Sequence, residues 1–501
     1  MDLQLLIIFL LSSFTLVWAL HFFARSTRAT SSRLPPGPFP LPVIGNLLQL
    51  GTKPHKSLAK LASIHGPIMS LKLGQITTIV ISSSTLAKET LQTHDRNLSD
   101  RTVPDATHAQ DHHLSMEWLP IGAEWRNLRK ICNSYIFANQ KLDLNRDLRR
   151  QKLEQLIGDI QECCRESKAV NIGEVAFRTT LNTLLSSICS LDLTDSSSDR
   201  VREFKEIFRS IVEETGKPNL SDYFPFLRKI DPQGIRRRTS VSFGKLLGIL
   251  DSMIDERIEL RKKEEYIRCN DVLEILLNLN DEGNSSDVLD RQSIKHLQQL
   301  LFVPGADTTS STLQWAMTEL LRNPTTLLKA RTELEQTIGK GRLVNEPDIA
   351  QLPYLQAVVK ETLRLHPSVP LLLPRKARSD VEMYGFIIPK DAQILVNVWA
   401  IGRDGNIWKD PNSFFPERFL ELDIDVRGRS FELIPFGGGR RICPGLPLAT
   451  RILHVILGSL INKFDWKIED GSETEILNMD DKFGLTLEKA NPLVAIPYPV
   501  T

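Results

Sequence analysis

The chain has 501 residues, 41% of them hydrophobic, enough to bury a large core, and length alone suggests roughly two or three ordinary domains. Lys plus Arg (62) and Asp plus Glu (61) nearly cancel with no basic run or aromatic-interleaved stripe, which leaves a nucleic-acid partner without an electrostatic footprint. Six cysteines, Cys132, Cys163, Cys164, Cys189, Cys269 and Cys443, give neither a disulfide framework nor paired CxxC zinc spacing, so a reducing compartment fits best.

From Leu3 to Ala24 no residue is charged, about the length a helix needs to cross a hydrocarbon layer of roughly 30 Å. A cleaved signal peptide would open on a basic segment, whereas here the only early charge is Asp2, and Arg25, Arg28 and Arg33 follow the apolar run. That order predicts an uncleaved single-pass anchor over residues 1–24, with the arginines and everything after them in the cytosol. A buried core helix is the lesser alternative, because core segments are usually shorter. The sequons at Asn97, Asn219 and Asn284 are then expected to carry no glycan. Arg33-Leu-Pro-Pro-Gly-Pro-Phe-Pro-Leu-Pro42 favours an extended, stiff backbone, and residues 25–42 read as a basic, proline-rich hinge. Neither a repeat nor a second linker follows, so residues 43–501 read as one folded unit.

Alternating runs at 68–73, 77–81, 380–384 and 393–396 predict strands. Helical spacing covers Arg146–Glu166, Asp199–Thr215, Ser240–Lys263, Arg291–Arg322 and Thr325–Ile338, and the balance is mainly α with a small β portion. Trp125 and Arg129 stand four apart on one helical face, a fork for a carboxylate or simply the solvated side of an amphipathic helix. Pro304-Gly-Ala-Asp307-Thr308-Thr309 falls in mid-helix, where proline frees the carbonyl of Leu300 and a local distortion is expected. An acid beside a hydroxyl in an apolar setting also suits a buried proton relay, although an ordinary kinked core helix would read the same. Glu361 and Arg364 share one face of the helix ending at His366-Pro367, and taken alone would be a surface ion pair worth little.

The most informative stretch is Pro435-Phe436-Gly-Gly-Gly439-Arg-Arg441-Ile-Cys443-Pro-Gly445. Three glycines permit turns of positive φ and close approach to a flat ligand, and backbone N–H groups with Arg440 and Arg441 would favour the ionised sulfur. A small buried hydrophobe is the plain alternative for any lone cysteine. A phosphate loop would want a following Lys-Ser or Lys-Thr and a helix start, and neither is read here. The stretch meets every fixed position of Phe-x-x-Gly-x-Arg-x-Cys-x-Gly, and in this it resembles the haem-binding signature of the cytochromes P-450.

The resemblance implies a single large haem domain of the cytochrome P-450 fold, haem b held through Cys443, and monooxygenase activity. It implies that Phe436, Gly439, Arg441 and Gly445 build the haem loop, that Trp125, Arg129, Arg441 and Arg375 meet the propionates, and that Glu361, Arg364 and Arg418 of Phe415-Pro-Glu-Arg-Phe419 form a network supporting that loop. Thr308 would hydrogen-bond dioxygen at the iron and Asp307 would help deliver protons. Pro304 departs from the Ala or Gly usual at the first position of that motif, which predicts a wider or more kinked groove. No dinucleotide fingerprint or flavin domain is visible, so electrons would come from NADPH through a separate flavin-containing reductase, docked where Arg126, Lys130 and Arg440 supply positive charge.

Local strings, among them Ser221-Asp-Tyr-Phe-Pro225, Asp231-Pro-Gln-Gly and Leu373-Pro-Arg-Lys-Ala377, are similar to the plant microsomal members that include geraniol hydroxylases and abietane diterpene oxidases. An apolar pocket of Trp118, Phe302, Val303, Val369, Leu371, Leu372 and Leu485 would suit a terpenoid, although any one of them could be core. The resemblance places the protein at the endoplasmic reticulum membrane. Rival readings are a haem-thiolate isomerase or dehydratase, a haem-binding protein that does not turn over, and an oxidase of alkaloids or phenolics.

Overall fold

The computed structural model describes residues 12–13, 15–16, 33–109, 112–191, 199–281, 289–469 and 477–500. The expected membrane span lies almost wholly outside them, and among the described residues no helix is long and apolar enough to cross a membrane. Its longer helices are α1 (Pro54–His65), α2 (Ala123–Ile131), α3 (Arg146–Arg165), α4 (Ile172–Cys189), α5 (Asp199–Thr215), α6 (Ile235–Arg261), α7 (Val272–Asp281), α8 (Arg291–Arg322), α9 (Pro324–Ile338), α10 (Pro353–Leu365) and α11 (Leu446–Lys463). The strands are β1 (Ile68–Leu73), β2 (Ile76–Ile81), β3 (Asp100–Arg101), β4 (Val170–Asn171), β5 (Arg375–Lys376), β6 (Val381–Met383), β7 (Phe386–Ile388), β8 (Gln393–Val396), β9 (Phe464–Ile468), β10 (Asp481–Lys482), β11 (Glu488–Lys489) and β12 (Val494–Pro499).

Helices dominate, as the periodicity predicts. The largest sheet runs β1-β2-β8-β5-β3, antiparallel except for the β2–β8 pair, and smaller sheets are β4-β12-β9, β6-β7 and β10-β11. The core is built around α8, which is buried on nearly every side and packs against α4, α10 and α11. Each Leu or Phe withdrawn from water there contributes about 1.5–3 kcal/mol before entropy is counted.

The proline-rich segment is fastened to the sheet from Arg33 onward. Ser70 donates its N–H to the Pro36 carbonyl (2.8 Å) and its hydroxyl to the Pro35 carbonyl (2.7 Å). At Gly37 a Cβ would stand 1.9 Å from the Ser70 carbonyl oxygen, so only glycine permits the contact.

Most foreseen elements appear with small shifts at their ends. Helix α6 starts earlier than expected, at Ile235, because Gly234 takes a left-handed φ of 64° and turns the chain into it. Helices α1, α4, α7 and α11 are not among the expected segments. Helix α4 carries Thr179, Thr180, Asn182, Thr183 and Ser186 on buried faces, which blurs any apolar stripe. Thr183 donates back to the Thr179 carbonyl at 2.7 Å and Ser186 to the Leu191 carbonyl beyond the helix end at 2.8 Å, while the Thr180 hydroxyl is buried without a partner among the described residues.

Candidate active site

The loop before α11 holds Cys443 at the floor of a cavity of about 390 Å³. Gly437 and Gly439 take φ of 74° and 65°, and the Cys443 N–H donates to the Phe436 carbonyl at 3.0 Å, closing the turn. Gly439 does not line the cavity; it lies against the chain at Leu91, where a Cβ would come within 1.9 Å of the carbonyl oxygen. Burial pushes the Cys443 thiol up, against the backbone N–H groups of Gly445 and Leu446 and the guanidinium of Arg129.

Two expectations about this loop are corrected. A helix does start directly after it, at Leu446, and its first N–H groups face the sulfur; the positive end of the α11 dipole therefore serves a thiolate in the way it would serve a phosphate. The arginines expected to act on the sulfur are directed elsewhere. Arg440 pairs with Asp95 at 2.8 Å, and Arg441 spends its donors on the carbonyls of Ser99, Met116, Glu117 and Leu119.

Arg441 also lies over the Trp125 ring, 5.3 Å from its centroid, and both line the cavity with Arg129, Arg375 and Arg101. Arg101 is a residue that sequence reasoning missed. It stands directly opposite Arg375 in the β3–β5 ladder, a pairing of like charges that costs stability unless an anion lies between or beside them. Burial and the neighbouring Arg375 and Arg441 hold the Arg101 guanidinium well below its usual range, and burial brings Arg375 and Arg441 down to about 10. Asp95 is a partial partner of Arg375, at 3.7 Å. This cluster of buried guanidinium groups on an otherwise apolar cavity fits the two carboxylates of a haem, with the Cys443 sulfur available to its iron. Glu117, also on the wall, is pushed up to about 7 by burial, which reduces its competition for those cations. No local sequence signal marks Arg101 or Glu117; strand pairing places Arg101, and its Nε donates to the Glu117 carbonyl at 3.1 Å, bringing that turn alongside.

The opposite wall is α8. The helix runs unbroken from Arg291 to Arg322, and the exposed ring of Pro304 faces the cavity beside Gly305, Thr308 and Thr309. The Thr308 hydroxyl donates to the Pro304 carbonyl (2.7 Å), and the Thr308 carbonyl accepts from Thr312 (2.8 Å) and Ser368 (3.1 Å). Asp307 is buried and does not line the cavity.

Of the expected apolar lining, Trp118, Val303, Val369, Leu372 and Leu485 face the cavity. Phe302 and Leu371 do not, and this corrects the expectation for both. Phe302 is fully buried and meets Phe204 edge-on at 5.8 Å, one helical step round from Val303. Leu371 packs on the cluster of Leu50, Leu58 and Leu71 beneath the sheet.

Glu361 and Arg364 are both inaccessible to solvent, so the surface-pair reading fails. Arg364 grips Glu361 through two bonds of 2.6 and 2.7 Å, Arg418 adds a third at 3.0 Å, and the Phe415 N–H a fourth at 2.8 Å. The remaining Arg364 donors reach the carbonyls of Gly402, Pro411 and Ser413. A single buried ion pair thus ties α10 to the two chain segments that lead into the cysteine loop.

The profile of the cytochrome P450 family matches residues 35–494. The chain is 53% identical to a geraniol 8-hydroxylase from Swertia mussotii over 98% of both proteins, and 52% identical to one from Catharanthus roseus over 99% of both. It is 45% identical to a ferruginol synthase from Salvia miltiorrhiza, over 97% of this chain and 99% of that protein.

Two substitutions test this geometry. Gly439→Ala is expected to displace the loop from Leu91 and abolish the thiolate-type band in the reduced carbon-monoxide difference spectrum while the far-ultraviolet circular dichroism stays helical. Glu361→Gln leaves Arg364 and Arg418 buried without their charge partner, and a loss of about 3–5 kcal/mol in chemical unfolding is expected.

Proposed function

This chain belongs to the cytochrome P450 family and is a haem-thiolate monooxygenase, and from that membership we propose that it hydroxylates a small terpenoid, a monoterpenol or an abietane-type diterpene. The observation that carries the reading is that Cys443 and Thr308 line one largely apolar cavity together with Arg101, Arg129, Arg375 and Arg441. Haem bound through Cys443 supplies the oxidising centre that inserts one atom of dioxygen into the substrate.

The chain's own residues divide the remaining work. Cys443 would be the metal ligand; burial raises its thiol, and the N–H groups at the start of α11 with Arg129 act in the opposite sense, toward the thiolate that metal binding needs. Trp125, Arg101, Arg129 and Arg375 would hold the propionates, and Arg441, whose donors are on backbone carbonyls, would add positive charge beside them. Trp118, Val303, Val369, Leu372 and Leu485 exclude water and present a surface without charge to a hydrocarbon skeleton. Thr308 lines the cavity with its hydroxyl donating to the Pro304 carbonyl, and burial pushes the carboxyl of neighbouring Asp307 up, toward proton exchange closer to neutrality. The acid–hydroxyl pair favours oxygen insertion over isomerase or dehydratase chemistry, which needs no proton delivery to dioxygen.

Two electrons per turnover come from NADPH through a separate flavin-containing reductase. The run from Leu3 to Ala24 anchors the protein in the endoplasmic reticulum membrane, and the arginines behind it keep the haem domain in the cytosol. The relatives named for geraniol and ferruginol supply the substrate class.

Membranes containing the chain are expected to give a thiolate-type band with carbon monoxide and to convert geraniol or an abietane diterpene in the presence of NADPH and reductase. The band without product from either compound would overturn the terpenoid assignment. Thr308→Ala is expected to keep the band and release reducing equivalents as peroxide, lowering product per NADPH by about tenfold or more; normal yield would remove Thr308 from proton handling. Pro304→Ala is expected to leave that yield unchanged or improve it, read by the same ratio.

A further inference from the structure

Asp307 follows the same helix as Thr308 but faces away from the cavity. Its carboxyl lies against the β10–β11 hairpin, where it meets the Thr486 hydroxyl and the carboxyl of Glu488. The hairpin is fixed to α8 one turn further on: Ser311 donates to the Leu487 carbonyl at 2.9 Å, and the Leu487 N–H donates to the Ser368 carbonyl at 2.8 Å. At the mouth of the hairpin, Gly216 at the end of α5 comes so close that a Cβ would stand 2.7 Å from the Leu485 nitrogen. Leu487, next to Glu488, is thus held to α8 at its carbonyl and to the segment after α10 at its N–H.

Two carboxyl groups in contact in a desolvated place are stable only when they share a proton. The Asp307 Oδ2 atom is buried without a donor among the described residues, and a proton held between the two acids would satisfy that neighbourhood. Glu488 is the outer member of the pair. It is partly exposed, does not line the cavity, and stands across the hairpin from exposed Lys482, with exposed Glu213 of α5 as its other charged neighbour. Lys489, next in the chain, turns away to the Asn478 carbonyl and the Trp315 ring.

We propose that Glu488 is the relay residue that reloads Asp307 with protons from solvent. It gives its carboxyl proton to the Asp307 carboxylate and takes another from water at the surface beside Lys482, so that no bond other than O–H is made or broken. Glu488 acts through Asp307 and touches neither substrate nor cofactor. The inference rests on the monooxygenase reading for its purpose, and on the hairpin geometry for its existence. Burial, then the Asp307 charge, pushes the Glu488 carboxyl up to about 7. The folded group is a donor below that value and ceases to be one as pH rises through it, so turnover limited by proton supply declines on the alkaline side of neutrality.

The test uses full-length holoenzyme with reductase in lipid vesicles, and the variants Glu488→Gln, Glu488→Asp and Lys482→Ala. Infrared difference titration of the resting protein reads the acid without turnover: a carboxyl band changing near neutral pH is expected, and is expected to vanish in Glu488→Gln. In turnover, Glu488→Gln is expected to lower kcat by about tenfold at neutral pH with KM unchanged, to flatten the alkaline limb and to enlarge the solvent isotope effect, while Glu488→Asp recovers most of the rate. Persistence of the band in Glu488→Gln, or a wild-type kcat and pH profile in that variant, overturns the proposal. Should Glu488→Gln fail to retain haem, Lys482→Ala decides: removing the cation moves the alkaline limb to higher pH, and an unmoved limb overturns the proposal. A wild-type protein that titrates in the infrared but oxidises nothing would fault the monooxygenase reading and leave the acid pair standing.

Discussion

The Cys443 sulfur sits where burial alone would keep it a neutral thiol, and much of the surrounding structure is arranged against that cost. The N–H groups that begin α11 and the Arg129 guanidinium supply the opposing field. Holding them in place requires a loop too tight for side chains at Gly439, and that loop in turn leans on the helical turn Glu89–Thr93 at Leu91 and on the segment fixed by Arg418. The Glu361–Arg364–Arg418 cluster is costly to bury, and it is retained because each of its members also holds backbone carbonyls or an N–H of the approach to the loop. Positive charge near the sulfur and rigidity behind it are two requirements of one ligand.

How much of this was legible in the sequence follows from how local each feature is. The cysteine loop is contiguous, so the resemblance of one short stretch was enough to place its glycines, cysteine and arginine. Helices α3, α5 and α8 declared themselves through period and breakers, whereas α4 hid because its buried faces carry hydroxyls. The cavity wall was readable only in part. Val303 and Phe302 are adjacent in an apolar run, and nothing short of the packing of α5 on α8 says that the first faces the cavity and the second faces Phe204. Arg101 and Glu488 were illegible for a sharper reason: each gains its meaning from a residue far along the chain, Arg375 across a strand ladder and Asp307 on the helix that the hairpin packs against.

Helix α8 shows how a local rule can be broken without losing the element. Proline in mid-helix removes one N–H, yet α8 continues through Pro304, held by burial on nearly all sides and by hydroxyls that return to carbonyls at Thr308, Thr309 and Thr312. The proline ring becomes part of the cavity wall. Its effect falls on the shape of the space above the cysteine, and the acid behind it keeps its place on the hairpin.

The arginine pair on β3 and β5 links the stability of a sheet edge to what occupies the cavity. A ladder that sets one guanidinium against another is weaker alone than with an anion beside it, and an anionic group bound only by the folded sheet would shift the balance toward folding. Two side chains at the margin of the fold would thus gain their best electrostatic partner from outside the polypeptide.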